Sequence, residues 1–358
     1  MSTDTVPAVI EKQLLTHSRQ DSFKTCRKKH WFSYELGIRR EVDAKALRMG
    51  SAYHSGLESL GKGCGLDDAV EAVRAYYDAF RDAYDQYEWE IERETVVRLL
   101  CGYQWRWEND ELENVATEQS FQLPLRNPET GKTTPLFDLA GKIDGIVRRD
   151  GRLGVKESKL LGDDIGQESD LWLRLRIDHQ ISMYVLAARK LGYAVDHVYY
   201  DVTRKPTIKP SAVPVLDALG AKIVLDARGE RVKTEKKEWR QTGDTAKGYV
   251  LQTRPMTVEE WGDKLTNDIT ERPDFYYVRR EIPRLDQDLA EYEVELWEIQ
   301  RTIRDAQRNG HHFRTANKNT CAFCPFFGLC TTGFDPERAA LPEGFVRVVD
   351  IHPELERN

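Results

Sequence analysis

Residues 141–159, GKIDGIVRRDGRLGVKESK, hold two carboxylates and a lysine at a spacing that suits hydrolysis of a phosphate ester. Asp150-Gly151 is a strong hairpin turn, so 136–149 and 152–159 read as two antiparallel strands. Asp144 lies on the first strand, and Glu157 and Lys159 lie on the second. Side chains two apart on a strand share a face, which points Glu157 and Lys159 the same way. Across the turn, position 144 falls opposite about position 157. Carboxylates this close repel unless a cation sits between them. Mg²⁺ is bound in this manner, with water and phosphate oxygen completing its shell. A lysine beside the pair can orient an attacking water or neutralise charge developing on phosphorus. An acid and a base near a turn are also common as solvated hairpin residues. Ile143, Ile146, Val147 and Val155 mark these strands as buried, however, and an unpaired buried acid is costly.

A second set is sulfur. Cys321, Cys324 and Cys330 stand as C-x2-C-x5-C in TCAFCPFFGLC, a loop in which three thiolates can turn inward on one metal. A fourth ligand must come from elsewhere. Cys101 falls in a helical run and Cys64 in a glycine-rich loop, and both read as plain residues; Cys26 sits in SFKTCRKKHWFSYELGIRR. Tetrahedral Cys₄ suits zinc, and His30, His311 or His312 could replace a thiolate; an iron–sulfur cluster suits the same donors.

The elements that position these groups follow from periodicity. Residues 44–60, 67–87 and 90–114 carry apolar residues at helical spacing. The period then changes: 118–125 alternates, 136–149 and 152–159 form the hairpin, 170–191 is a helix ending at Gly192, and 194–204 is a strand. Residues 275–282 read as a strand and 285–309 as a charged helix. Trp105 and Trp107 read as core residues. The centre is therefore an α/β core. The chain of 358 residues reads as a single elaborated domain: 1–115 an N-terminal arm and helical region, 116–204 the core, 205–258 a basic insertion forming a hairpin or flap, 259–335 a strand, helix and cysteine cluster, and 336–358 a tail.

Charge is uneven. The chain carries 53 Lys+Arg against 60 Asp+Glu. Residues 204–258 hold 12 basic against 6 acidic residues and residues 1–40 hold 8 against 4, leaving the body strongly acidic. Local basic surface is enough to grip a phosphate backbone, although solvated charge gives the same pattern. With 40% hydrophobic and 32% charged residues the composition is globular. No apolar run approaches a membrane span. The first twenty residues show no secretory signal, so a cytoplasmic location is expected, the host cytoplasm if the protein is viral.

The Asp144…Glu157-x-Lys159 hairpin resembles the PD-(D/E)XK nuclease superfamily, and in particular its RecB-like exonuclease branch. Gly50-x-x-x-His54-x-x-Leu57 resembles that branch's histidine helix, and Gln180-Ile181-Ser182-Met183-Tyr184 its Q-x-x-x-Y motif. Ile143 stands where the named motif has proline. The resemblance implies a restriction-endonuclease-like fold, a central mixed sheet flanked by helices, with a helical N-terminal region and a C-terminal helix and cysteine cluster. It implies Mg²⁺ or Mn²⁺ held by His54, Asp144, Glu157 and the Ser158 carbonyl, with Lys159 catalytic and Gln180 and Tyr184 touching DNA or bracing the site. The Cys26 segment resembles the N-terminal element of iron–sulfur nucleases such as the CRISPR-associated exonuclease family and AddB nuclease. That implies a 4Fe–4S cluster on Cys26, Cys321, Cys324 and Cys330. The implied activity is exonuclease cleavage of DNA, single-stranded by family precedent, in repair, recombination, CRISPR spacer processing or phage DNA metabolism.

Taken by themselves, His54 is an ordinary helix histidine, and Gln180 and Tyr184 share a helix face at i, i+4. Arg27, Lys28 and Lys29, interleaved with Trp31, Phe32 and Tyr34, suit phosphate contact with base stacking, or packing of the aromatics with the basic residues facing solvent. TGKTT at 130–134 lacks the first glycine of a phosphate loop, so no motor is expected. The rival functions are a catalytically silent DNA-binding or scaffold protein and an RNA-directed nuclease.

Overall fold

The structure, a computed structural model, describes residues 12–42, 44–79, 85–336, 338–352 and 355. The first eleven residues, part of the segment read for a signal, lie outside the described residues. The central sheet is built from six strands: β1 (Gln13–Leu15), β2 (Glu113–Arg126), β3 (Thr133–Arg149), β4 (Arg152–Leu161), β5 (Val195–Arg204) and β6 (Tyr277–Pro283). Strands β2, β3 and β4 form the expected antiparallel meander, turned at Asp150 and Gly151, both with positive φ. Strand β5 then joins β4 in parallel and β6 pairs antiparallel with β5, so the sheet is mixed. The parallel step requires a crossover helix, and residues 170–190 supply it.

Helices cover both faces. On one lie α1 (His17–Thr25), α5 (His179–Lys190) and α7 (Asp286–Asn309), with Phe23, Ile181, Val185, Leu296 and Ile303 packed on Ile143, Ile146, Val155 and Val198. On the other lie α2 (Lys45–Gly61), α3 (Leu66–Asp78), α4 (Gln86–Trp107) and α6 (Val258–Glu271), joined through Tyr53, Tyr77, Leu100, Trp261 and Tyr277. Burial on two faces explains why the central strands read as nearly continuous apolar runs. Ile143, Ile146, Val147 and Val155 are all fully buried, as expected.

Four expectations need correction. The helix expected over 90–114 ends at Trp107, and Glu113 already begins β2. The helix expected over 170–191 is broken: Asp178 is extended (φ −74°, ψ 125°), and its side chain accepts the Ile181 N–H, starting α5 afresh. Trp105 is not core but 45% exposed, because α4 buries the face of Val96, Leu99, Leu100 and Tyr103, and position 105 turns away from it. The 205–258 insertion is a string of tight turns rather than a single hairpin. Asp217, Asp226, Thr234 and Asp244 each open a turn whose strands pair with the next. The would-be phosphate loop at 130–134 falls at the turn between β2 and β3, with no helix after it. Among the described residues no helix is long and apolar enough to cross a membrane.

Candidate active site

The site lies where the sheet splits. Strand β3 pairs with β4 only from Gly145 to Arg149, and with β1 only at Phe137, Asp138 and Leu139. Both partners use the same edge of β3, because β2 occupies the other along its length. Residues 140–144 thus line a fork between β1 and β4. Asp144 sits at its apex, one residue past the last rung, and its Oδ2 accepts the Ser158 N–H at 2.8 Å. The register Gly145↔Lys156 places Asp144 beside Glu157, as the hairpin spacing predicts.

Glu157 is 1% exposed. One of its carboxylate oxygens pairs with Lys159 Nζ, while Oε2 is buried with no hydrogen-bond partner. Burial pushes the Glu157 carboxyl up, Asp144 pushes it further, and Lys159 only partly offsets them. The Lys159 amine is held above its ordinary range by Glu157 against the effect of burial. On the opposite wall α2 presents His54, whose Nδ1 lies 3.7 Å from Asp144 Oδ2. Gln180 donates to the Tyr184 hydroxyl at 3.0 Å, and both line the cleft with Lys159. The cleft measures about 520 Å³ and also receives Thr16, His17 and Ser18 from the start of α1. Beneath it, Asp201 is in register with Ser158 and is held by the Tyr103 hydroxyl and Arg279.

Sequence reasoning missed two acids that face this cleft. Glu118, with φ +52°, lies between the rungs Thr117↔Gly145 and Gln119↔Ile143, which puts it opposite Asp144, and it pairs with Lys142 at 2.5 Å. Burial raises its carboxyl to about 7, helped by Asp144. Glu58 lies one turn beyond His54 on α2 and lines the same cleft. The i, i+4 spacing from His54 is a signal that could have found Glu58. Glu118 owes its place to the register of β2 on β3, which sets it opposite Asp144.

The residues Arg27, Lys28 and Lys29 do not line the cleft. Arg27 lies over Phe23 and Phe313, and Lys28 Nζ is 3.5 Å from the Trp31 ring centre, so these cations pack on aromatic rings. Cys26 is buried and accepts the Thr315 N–H at 3.4 Å. Cys324 and Cys330 pack around Phe32, Ile38, Phe326 and Leu329. Burial pushes the Cys324 thiol up, and the Cys330 and Cys26 sulfurs add to this. Cys321 is half-buried, and its carbonyl accepts the Cys324 N–H. Cys64 is exposed and Cys101 lies on α4, away from this group. His30 is engaged by Arg19 Nε at 3.2 Å, and His312 stacks on Trp31. Among the described residues, no three His, Cys, Asp or Glu side chains stand close enough to hold a metal ion as they are placed. The chemistry of both donor sets still fits one: two acids, one with an orphaned buried oxygen, and two thiols, Cys324 and Cys330, packed on one apolar cluster.

The family model of the PD-(D/E)XK nuclease superfamily matches residues 14–331. No curated protein matches the sequence. Solved structures similar to it include a putative exonuclease from Eubacterium rectale, 10% identical with a TM-score of 0.41, covering 99% of this chain and 97% of that one. Another is SSO0001, 12% identical with a TM-score of 0.28, covering 74% of this chain and 82% of that one.

Proposed function

The chain belongs to the PD-(D/E)XK nuclease superfamily, and from that membership we propose that it is a metal-dependent exonuclease acting on single-stranded DNA. The observation that carries the reading is the orphaned Oε2 of Glu157, buried in register with Asp144, which itself lines the cleft with Lys159 and His54. An unpaired buried oxygen is costly, and a divalent cation would satisfy it. Asp144, Glu157, the Ser158 carbonyl and His54 would hold that cation. It would act as a Lewis acid on the phosphate and lower the pKa of its bound water. Lys159 directs its charge into the cleft, where negative charge grows on the phosphoryl oxygens. Glu157 fixes Lys159, and Gln180 steadies the Tyr184 hydroxyl. The order His54, Asp144, Glu157, Lys159, Gln180, Tyr184 supports the exonuclease branch.

End-labelled single-stranded DNA, duplex DNA and RNA test this directly. Cleavage is expected from the ends of single strands. It should vanish with chelator and in Asp144→Ala. Mn²⁺ should support it at least as well as Mg²⁺, because the His54 imidazole suits Mn²⁺ better. Undiminished cleavage in excess chelator would sink the metal reading. Metal-loaded protein that binds DNA but cuts nothing would establish the silent scaffold instead, and cleavage confined to RNA would reassign the substrate.

A pH dependence follows from Glu157. In the metal-free protein its carboxyl is held up, to about 8, so below that pH a proton competes with the cation. Apparent Mg²⁺ affinity should therefore rise with pH until about 8, by up to about tenfold per pH unit for one displaced proton. Titration calorimetry in buffers of differing ionisation enthalpy reads the proton release. An affinity independent of pH across this interval would contradict the assignment.

We further propose a 4Fe–4S cluster on Cys26, Cys321, Cys324 and Cys330, acting as a structural fastener. Its support is that Cys324 and Cys330 pack on one apolar cluster and that the remote Cys26 sulfur is near enough to Cys324 to act on its thiol. Zinc on the same thiolates is the other occupant, and metal content separates the two.

A further inference from the structure

The segment 205–257 is not used by the chemistry above, yet its position ties it to the cleft. It leaves the sheet at the end of β5, where Arg204 is in register with Leu161, two residues past Lys159. The Lys205 N–H donates to the Leu161 carbonyl, and Lys205 Nζ reaches the carbonyl of Ala46, a residue lining the cleft. The base is fastened to the helical layer. Ile208 and Val213 pack against its apolar cluster, and Lys264 of α6 bonds the Lys209 carbonyl. A fixed root at the mouth of the cleft carries a projecting set of short turns.

The projection carries exposed acids, Glu230, Glu235 and Glu238, outnumbered by its basic residues, which are of two kinds. Arg231, Arg240 and Arg254 are neutralised by Asp217, Asp244 and Glu260, and they brace the turns. Lys222, Arg228, Lys233, Lys236 and Lys237 make no ion pair among the described residues. All but Lys222 are exposed, and Lys236 and Lys237 occupy a turn tip, Lys237 with φ +67°. Aromatic rings stand among them. Lys233 pairs across the ladder with Trp239, whose ring also receives Arg231 at 4.1 Å, and Arg240 lies over Tyr249. Lysines without ion pairs, spread along a ribbon of turns with Trp239 and Tyr249 among them, are the donor set that tracks a phosphate backbone. In a chain whose body is acidic, this concentration of cations on a segment rooted at the cleft favours nucleic acid over an uncharged partner.

We propose that residues 205–257 form an arm that grips the phosphate backbone of the nucleic-acid strand beyond the catalytic cleft. The inference rests on the nuclease reading and deepens it, because it assigns a second, length-dependent contact to the same substrate. Short oligonucleotides occupy the cleft alone. Longer ones reach the arm, which keeps the strand engaged between cuts.

The test uses the full chain with chelator present, so that binding is measured without cleavage. The probes are single-stranded oligonucleotides of about six and about thirty nucleotides, lengths chosen to lie below and above a groove of ordinary size. The variant is K222A/K233A/K236A/K237A, whose residues lie outside the core. For the long strand its affinity should fall on the order of a hundredfold at low salt. The slope of log affinity against log salt should lessen by about 3, the value for four phosphate contacts on a single strand. The short strand should bind as in the parent, and with metal its cleavage rate should be unchanged. The corresponding four-arginine variant should restore the long-strand affinity, which separates charge from folding. A parent that cuts DNA while the four-alanine variant keeps its affinity, length dependence and salt slope overturns the arm and leaves the nuclease standing. A parent that neither binds nor cuts any strand overturns the nuclease reading itself.

Discussion

Lys159→Ala should bind single-stranded DNA almost as the parent does and lose about a hundred- to a thousandfold in maximal rate, the usual cost of removing one group that meets charge in a transition state. The reasoning is geometric. Lys159 is fixed by Glu157 and lines the cleft with Gln180 and Tyr184, so its charge is aimed before the substrate arrives. The ground-state phosphate already carries its charge in a cleft with His54 and other donors. The increment that Lys159 meets arises only as the water attacks, and an interaction made only then raises the rate rather than the affinity. Rapid-quench cleavage at saturating DNA, beside binding measured with chelator, separates the two. Lys159→Arg should recover part of the rate because the charge returns, though with a planar fork in place of a point charge. A variant that fails to bind DNA yet keeps its maximal rate would make Lys159 a substrate-gripping residue and leave the catalytic charge to be found elsewhere.

The parts of this site that could be read from sequence are those set by local geometry. The turn at Asp150-Gly151 determines the register of β3 against β4, and with it the approach of Asp144 to Glu157. Alternation along β4 puts Lys159 on the face of Glu157. The opening of the sheet at Asp144 could not be read in this way. It depends on β1, three residues long, which is too short for any period and which pairs with β3 more than 120 positions away. Glu118 was hidden for a related reason. It stands opposite Asp144 through the register of β2 on β3, between Thr117↔Gly145 and Gln119↔Ile143, and no turn motif in the sequence announces that register. The break before α5 had a visible signal, since Asp178 stands three residues before Ile181 as an N-cap does, but the apolar run through 170–191 obscured it. The exposure of Trp105 follows from which face of α4 meets α3 and α6, and that is a tertiary choice.

Replacing Cys26 by Ala should bleach the protein while leaving it folded. Protein purified without oxygen should be brown with about four irons per chain, and the variant should lose both colour and iron. Cys26 and Cys321 stand 295 positions apart, so a cluster on the four thiolates closes the N-terminal arm onto the C-terminal segment. Removing it should lower the melting temperature on the order of 10 °C, because metal binding that closes so long a loop is folding free energy. Collapse is not expected, since other contacts join the same two segments. Residues 38–40 pair with 345–347, the Arg39 guanidinium donates to the Ile351 carbonyl, and Gln307 donates to Glu35. The consequence for cleavage should be partial. Strand β1 and the first turn of α1, which bring Thr16, His17 and Ser18 into the cleft, lie directly before Cys26 and would be held less firmly. Asp144, Glu157 and Lys159 stand on β3 and β4 and would stay in place. Cys64→Ala and Cys101→Ala should keep colour, iron and stability. Colourless parent protein with one zinc per chain and no iron, under anaerobic handling, would replace the cluster with a zinc site and leave the carboxylate chemistry untouched. Parent protein with neither metal, and a Cys26→Ala variant of unchanged melting temperature, would remove the fastener altogether.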